Sequence, residues 1–209
     1  MYRDFEKFGK NPMAVRRTLP ATFNKPLKLK NPAMIFTCSL SDFFIEAADE
    51  WRAEAWQIIK DTPHHTYQIL TKRPERIAAN LPADWGAGYP NVWLGVSAES
   101  ADYYAHRVTI LRDKVPAQLK FISIEPLLGD IVGDHAVDTW ASENLRGIDW
   151  VIVGGESGHN TGKFAARPCE RLWMDKIVFA CRLRSVPVFV KQVGTVYARA
   201  NGFKQKDGK

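Results

Sequence analysis

Six short apolar runs are spaced along the chain, each closing on small or charged residues and most followed by a stretch with helical spacing. They read Met34-Ile35-Phe36-Thr37, Tyr67-Gln68-Ile69-Leu70, Val92-Trp93-Leu94-Gly95-Val96, Phe121-Ile122-Ser123-Ile124, Trp150-Val151-Ile152-Val153 and Val188-Phe189-Val190. Apolar strands that alternate with helices predict parallel strands buried on both faces. The fold class expected is therefore α/β, a parallel (βα) barrel or partial barrel, with its site at the C-terminal ends of the strands.

Between the runs, Tyr2 to Phe8 has helical character, and the Pro and Lys residues from Asn11 to Pro32 predict an extended connector. Ser41-Asp42 offers a cap for a helix running through Lys60, with Phe43, Phe44, Ala47, Ala48, Trp51, Ala55, Ile58 and Ile59 on its docking face. Arg73-Pro74 opens a helix that Leu81-Pro82 ends. Ser97 to Lys114 follows, with Ser97 or Ser100 as cap. Leu127 to Gly147 predicts a long connection carrying a short helix, and Pro168 to Arg184 a last helix with Leu172, Ile177, Val178 and Leu183 inward.

The residues just past the runs are more polar than a parallel-sheet edge requires. They are Cys38-Ser39, with Asp42 close behind; Thr71-Lys72-Arg73; Ser97 and Glu99; Glu125-Pro126; Gly154-Gly155-Glu156-Ser157; and Lys191-Gln192. Strand ends of this kind explain a Ser or a Thr, but three Glu and two Lys less well. In a barrel these groups meet at one mouth, so Ser39, Asp42, Thr71, Lys72, Arg73, Ser97, Glu99, Glu125, Gly154, Gly155, Glu156, Ser157, Lys191 and Gln192 are the candidate ligand-binding residues. Gly154-Gly155-Glu156-Ser157-Gly158 is the sharpest local signal, since two glycines let backbone N–H groups approach an anion while the Glu takes an ammonium or a hydroxyl. An ordinary glycine turn with an exposed Glu accounts for it equally well. Lys72-Arg73 at a strand-to-helix junction suits a phosphate or carboxylate. An inward Lys191 requires a carboxylate partner, which Glu125 or Glu156 supplies.

At 209 residues and 45% hydrophobic content, one domain is expected: a basic helix and connector over 1–32, a βα core over 33–198 and a flexible basic tail over 199–209. No stretch reaches the ~20 apolar residues of a membrane span, and no signal peptide is visible, so a cytoplasmic location without a membrane partner is expected. The net charge of +6 sits in residues 1–30, where eight basic residues face Asp4 and Glu6. A solvated basic arm explains this better than a nucleic-acid groove, which needs several cations on one surface. Cys38, Cys169 and Cys181 show neither disulfide nor zinc spacing and read as reduced thiols. His64, His65, His106, His135 and His159 make no metal site and are expected to be solvated or capping.

As an ordered set, Ser39 to Phe44, Gln68 to Arg76, Asn91 to Glu99, Phe121 to Gly129, Ile148 to Gly158, Ala166-Arg167-Pro168 and Phe189 to Gly194 resemble the phage-associated Gp-thirty-seven/Gp-sixty-eight family, a domain of unknown function similar to radical SAM enzymes. The resemblance covers nearly the whole length. It implies a TIM-like barrel and, in full-length members, a 4Fe-4S cluster and S-adenosylmethionine, with Gly154, Gly155 and Glu156 at the methionine part and Lys72, Glu125, Lys191 and Gln192 toward the substrate. Family members carry a three-cysteine motif before a segment similar to Tyr2-Arg3-Asp4-Phe5, and this chain lacks it. The expectation is a truncated, inactive form with no cofactor of its own, its first strand missing and an exposed strand edge available for self-association. The alternative is a non-catalytic barrel that binds nucleic acid or an anionic metabolite through Arg16, Arg17, Lys25, Lys28 and Lys30 with Lys72 and Arg73.

Overall fold

A computed structural model describes residues 15–158 and 165–203. The predicted Tyr2–Phe8 helix, Arg3, Lys7, Lys10, His159 and the end of the basic tail lie outside the described residues. The described residues form two compact units, 15–95 with 115–118, and 96–114 with 119–158 and 165–203. Six parallel strands with intervening helices run through them, an α/β parallel fold.

In the first unit, β1 (Met34–Phe36), β2 (Thr66–Thr71) and the start of β3 (Val92–Ser97) lie in that order, with Met34 opposite Thr66 and Phe36 opposite Gln68. β2 alternates half-buried and buried positions, with Tyr67, Ile69 and Thr71 inward. The expected connector instead contains two single-turn helices, α1 (Pro20–Phe23) and α2 (Lys25–Lys28), each with proline in its first turn where the missing N–H costs no hydrogen bond. His65 ties this segment down: it is buried, its Nδ1 accepts the Ala33 N–H at 3.2 Å, and its Nε2 lies 3.1 Å from the Pro26 carbonyl. The solvated role expected for that histidine is thus corrected.

The helix expected from Ser41-Asp42 begins later, as a 3-10 turn at Glu46–Ala48 and then α3 (Asp49–Asp61). Asp49 and Glu50 in its first turn and Lys60 in its last complement the helix dipole. Arg52, Trp56 and Ile59 share its buried side, and the Trp56 ring meets Phe43 edge-on with centroids 4.9 Å apart. The helix expected after Arg73-Pro74 is replaced by two 3-10 turns, Pro74–Arg76 and Ala78–Asn80. The carbonyls that would extend it are taken: Asn80 Nδ2 donates to the Arg76 carbonyl, and Trp56 Nε1 to that of Asn80. Pro82 holds Leu81 extended and ends the segment.

In the second unit the order continues from the end of β3 through β4 (Leu119–Ile124) and β5 (Trp150–Gly154) to β6 (Val188–Gln192). β4 and β5 pair from Phe121/Trp150 to Ile124/Val153, and β5 and β6 from Val151/Val188 with an irregularity at Val153/Gly154. Ile122, Ile124, Val151 and Val153 are fully buried, as parallel strands covered on both faces require. Against them lie α4 (Ala101–Lys114) and α6 (Arg171–Leu183), α5 (Val137–Asn144) packs beside α6, and α7 (Thr195–Ala200) follows β6. The long 127–147 connection carries α5, as expected. α6 buries Met174, Ile177, Ala180 and Cys181, whereas Leu172 and Leu183, expected inward, are exposed. α7 lies in a stretch with no predicted helix; Gly194, at φ 87°, turns the chain into it. No helix among the described residues is long and apolar enough to cross a membrane.

Candidate functional site

The strand ends carry a cluster of charged groups in each unit. In the first, Asp42 is the centre. Its side chain is almost fully buried, and its two oxygens accept four hydrogen bonds: Oδ1 from the Phe44 N–H at 2.9 Å and the Thr71 hydroxyl at 2.7 Å, Oδ2 from the Lys72 N–H at 2.9 Å and Arg73 Nη1 at 3.0 Å. Thr71 Oγ1 in turn accepts the Arg73 N–H at 2.9 Å. Asp42 is therefore a clasp between the loop after β1 and the end of β2, rather than the expected helix cap. Ser39 and the Lys72 side chain are exposed beside it. Cys38 adopts φ 54°, a left-handed conformation rare outside glycine, and its carbonyl accepts the Ser41 N–H in the tight turn that leaves β1. Arg76 pairs with Glu46 and Asp49.

In the second unit three carboxylates each hold a cation. Glu99 is 4% exposed, and its Oε2 accepts from Arg107 Nη1 at 2.8 Å; the same nitrogen donates to the Ser97 carbonyl at 2.9 Å. Glu125, next to a cis bond to Pro126, accepts from Lys191 Nζ at 2.9 Å and from Gln192 Nε2 at 3.1 Å. Glu156 takes the Arg167 backbone N–H at 2.8 Å and its guanidinium through Nε at 2.9 Å and Nη2 at 3.0 Å. These hydrogen bonds hold Arg167 above the usual guanidinium range, with Glu99 adding a smaller attraction. The exposures divide by sign. The side chains of Glu125 and Glu156 are each 19% exposed, whereas Lys191 is 52% and Arg167 58% exposed.

The glycines have a packing role. A Cβ on Gly155 would stand 2.7 Å from the Val193 carbonyl oxygen and 2.8 Å from Gly194 Cα, so this position must lack a side chain for the loop after β5 to meet the loop after β6. Gly154 is less constrained, its nearest contact at 3.4 Å. The two loops are stitched by Gly155 N–H to the Gln192 carbonyl, Gln192 Nε2 to the Gly155 carbonyl, Thr195 N–H to the Glu156 carbonyl and Gly158 N–H to Thr195 Oγ1. The N–H groups of Gly155 and Gly158 are thus already spent within the protein. Ser157, between them, is exposed.

Sequence reasoning paired Lys191 with Glu125 or Glu156, and the structure has Lys191 on Glu125. It missed Arg107 and Arg167 as site residues. Arg167 followed by proline at the start of an apolar helix, and Arg107 inside a helix face otherwise apolar, are the signals that were available. Burial raises the Cys169 and Cys181 thiols to about 11 and about 12. Among the described residues no three His, Cys, Asp or Glu side chains stand together as a metal-holding group. Cys169 and Cys181 are buried, whereas Cys38 is exposed.

A family model described as a protein of unknown function (DUF5131) matches residues 2–209. No curated protein and no solved structure matches the chain.

Proposed function

The chain belongs to DUF5131, a family of unknown function, and from its site we propose that the strand-end edge of the second unit binds a small anionic metabolite, a carboxylate or phosphate, between Arg167 and Lys191. The observation that carries this reading is the division of exposure. Glu125 and Glu156 are largely covered and serve as anchors, while the cations they hold project toward solvent. An approaching anion meets two positioned donors, one of them a planar guanidinium suited to bidentate contact. The location agrees with the general rule that parallel α/β folds bind ligands at the carboxyl ends of their strands, as in the (βα) barrel this reading assumes.

The test is isothermal titration with inorganic phosphate, citrate and single-stranded DNA. Saturable binding of phosphate or citrate that weakens at least about tenfold, or ~1.4 kcal/mol, in Arg167→Ala/Lys191→Ala supports the reading. No binding, or binding indifferent to both substitutions, refutes it. DNA binding that falls steeply with added salt would instead favour the basic stretch of Arg16, Arg17, Lys25, Lys28 and Lys30 with Lys72 and Arg73. In the first unit, however, Arg17 is paired with Glu54 and Arg73 with Asp42.

A second reading follows the resemblance to the phage family and, through it, to radical SAM enzymes. It is favoured by the Glu156–Arg167 pair, which is complementary to an α-amino acid: the carboxylate goes to Arg167 and the ammonium to Glu156. In this reading Glu156 holds the methionine part of S-adenosylmethionine, which supplies a carbon activated by its sulfonium. Binding of S-adenosylmethionine that is insensitive to salt and lost in Glu156→Gln separates this reading from the first.

A further inference from the structure

His64 and His65 fasten the segment before β1 at three points. His65 Nδ1 accepts the Ala33 N–H at 3.2 Å, its Nε2 meets the Pro26 carbonyl at 3.1 Å, and His64 Nε2 meets that of Leu29 at 3.0 Å. The partners of His65 settle where its proton sits. A backbone N–H only donates and a carbonyl only accepts, so Nδ1 carries the lone pair and Nε2 the proton, which is the neutral imidazole. That ring is buried, and the His64 ring stands beside it with centroids 4.0 Å apart.

Little else holds the segment. No residue from 16 to 32 is buried, and Leu19, Leu27 and Leu29 lie open to water. The Arg17–Glu54 ion pair is solvent-accessible on both sides and is screened. Three kinds of titratable group surround the two rings. Tyr67 meets His65 edge-on at 6.3 Å and has its hydroxyl bonded to Thr62; the segment itself contributes the cations Lys25, Lys28 and Lys30; the end of α3 contributes Asp61, which accepts from Gln57. Among the described residues neither ring is paired with a carboxylate.

We infer that His65, with His64 beside it, is a pH-sensitive clasp that holds residues 20–33 against the turn between α3 and β2 when neutral and lets them go when protonated. A proton on Nδ1 removes the acceptor of the Ala33 N–H and turns two donors on each other in a site closed to water. A charge on His64 adds repulsion, and the three lysines add more. Docking therefore holds on the alkaline side and is lost as pH falls, freeing Lys25, Lys28 and Lys30 from the turn. The inference is independent of the ligand reading, which concerns the second unit.

Hydrogen–deuterium exchange, corrected for the intrinsic effect of pH, tests it at about pH 7.5 and about pH 5.5, either side of the ~6.5 of an ordinary imidazole. Amides of residues 27–33 are expected to lose protection at least about tenfold at the lower pH, relative to those of α3. His65→Asn offers the Ala33 N–H an oxygen that does not titrate, so its protection is the same at both pH values. In the parent, the His65 Cε1–H resonance shifts over the same interval. Protection that ignores pH, or a pH response that survives His65→Asn, overturns the inference. Loss of protection while that resonance keeps its neutral position does so too, whether or not the variant folds.

Discussion

Replacing Asp42 probes the clasp of the first unit most directly. Its carboxylate satisfies two backbone N–H groups, a buried hydroxyl and a guanidinium from a nearly water-free position. Each hydrogen bond to a charged acceptor contributes about 1.5–3 kcal/mol, but the four share one group and their losses do not add. Asp42→Ala leaves a space that water enters in part, and the expected net loss is about 3 kcal/mol, or ~6–12 °C in Tm. Asp42→Asn is nearly isosteric yet costs about 2 kcal/mol, because the amide keeps one acceptor oxygen and turns its NH₂ toward two donors that had Oδ2. Arg73→Ala costs under about 1 kcal/mol, since the Arg73 side chain is 38% exposed and its attraction to Asp42 is screened. Urea unfolding followed by tryptophan fluorescence measures all three, with the buried Trp56 and Trp85 of the same unit as reporters. An Asp42→Asn protein within about 0.5 kcal/mol of the parent, or an Arg73→Ala loss equal to that of Asp42→Ala, would refute the clasp.

At the β5–β6 loops, Gly155→Ala forces a methyl into backbone atoms and is expected to cost about 1–3 kcal/mol, whereas Gly154→Ala stays near neutral; equal urea midpoints for the two would contradict the packing assigned to Gly155. In the same unit, burial alone would raise the Asp130 carboxyl, but Lys176 and the Gly133 and Val132 N–H groups more than offset it and hold it below its ordinary 3.8. A lowered carboxylate stabilises the fold above the unfolded value, and that contribution disappears as pH falls through the folded one. Unfolding midpoints measured from pH 6 to pH 3 are thus expected to fall more gently in Asp130→Asn than in the parent, and parallel curves would count against the pairing.

The apolar runs determined the strands. All six predicted segments are strands in the structure, since an apolar run is a property of neighbouring residues, but only β3, β4 and β5 are largely covered on both faces, whereas β1 and the middle of β6 are exposed. The same local logic placed α4 and α6 to within a few residues and expected a short helix within the connection that carries α5. It failed where the deciding partner was distant in sequence. The Arg73–Pro82 segment reads as a helix, but the Asn80 carbonyl is claimed by the Trp56 side chain from α3. Asp42 reads as a cap but is drawn to Thr71, Lys72 and Arg73. Leu172 and Leu183 fit a helical period, yet which side of α6 meets the sheet is fixed by what packs there.

Residue type and strand-end position pointed to Glu99, Glu125, Glu156 and Lys191 as chemistry-bearing groups. Only the tertiary structure decided that Glu125 holds Lys191, that Glu156 holds Arg167 and that Gly155 exists to admit Gly194. Periodicity is carried by residues a few positions apart, so it can be read along the chain. The partner of a charge, and the side of it left open to water, depend on segments that only folding brings together.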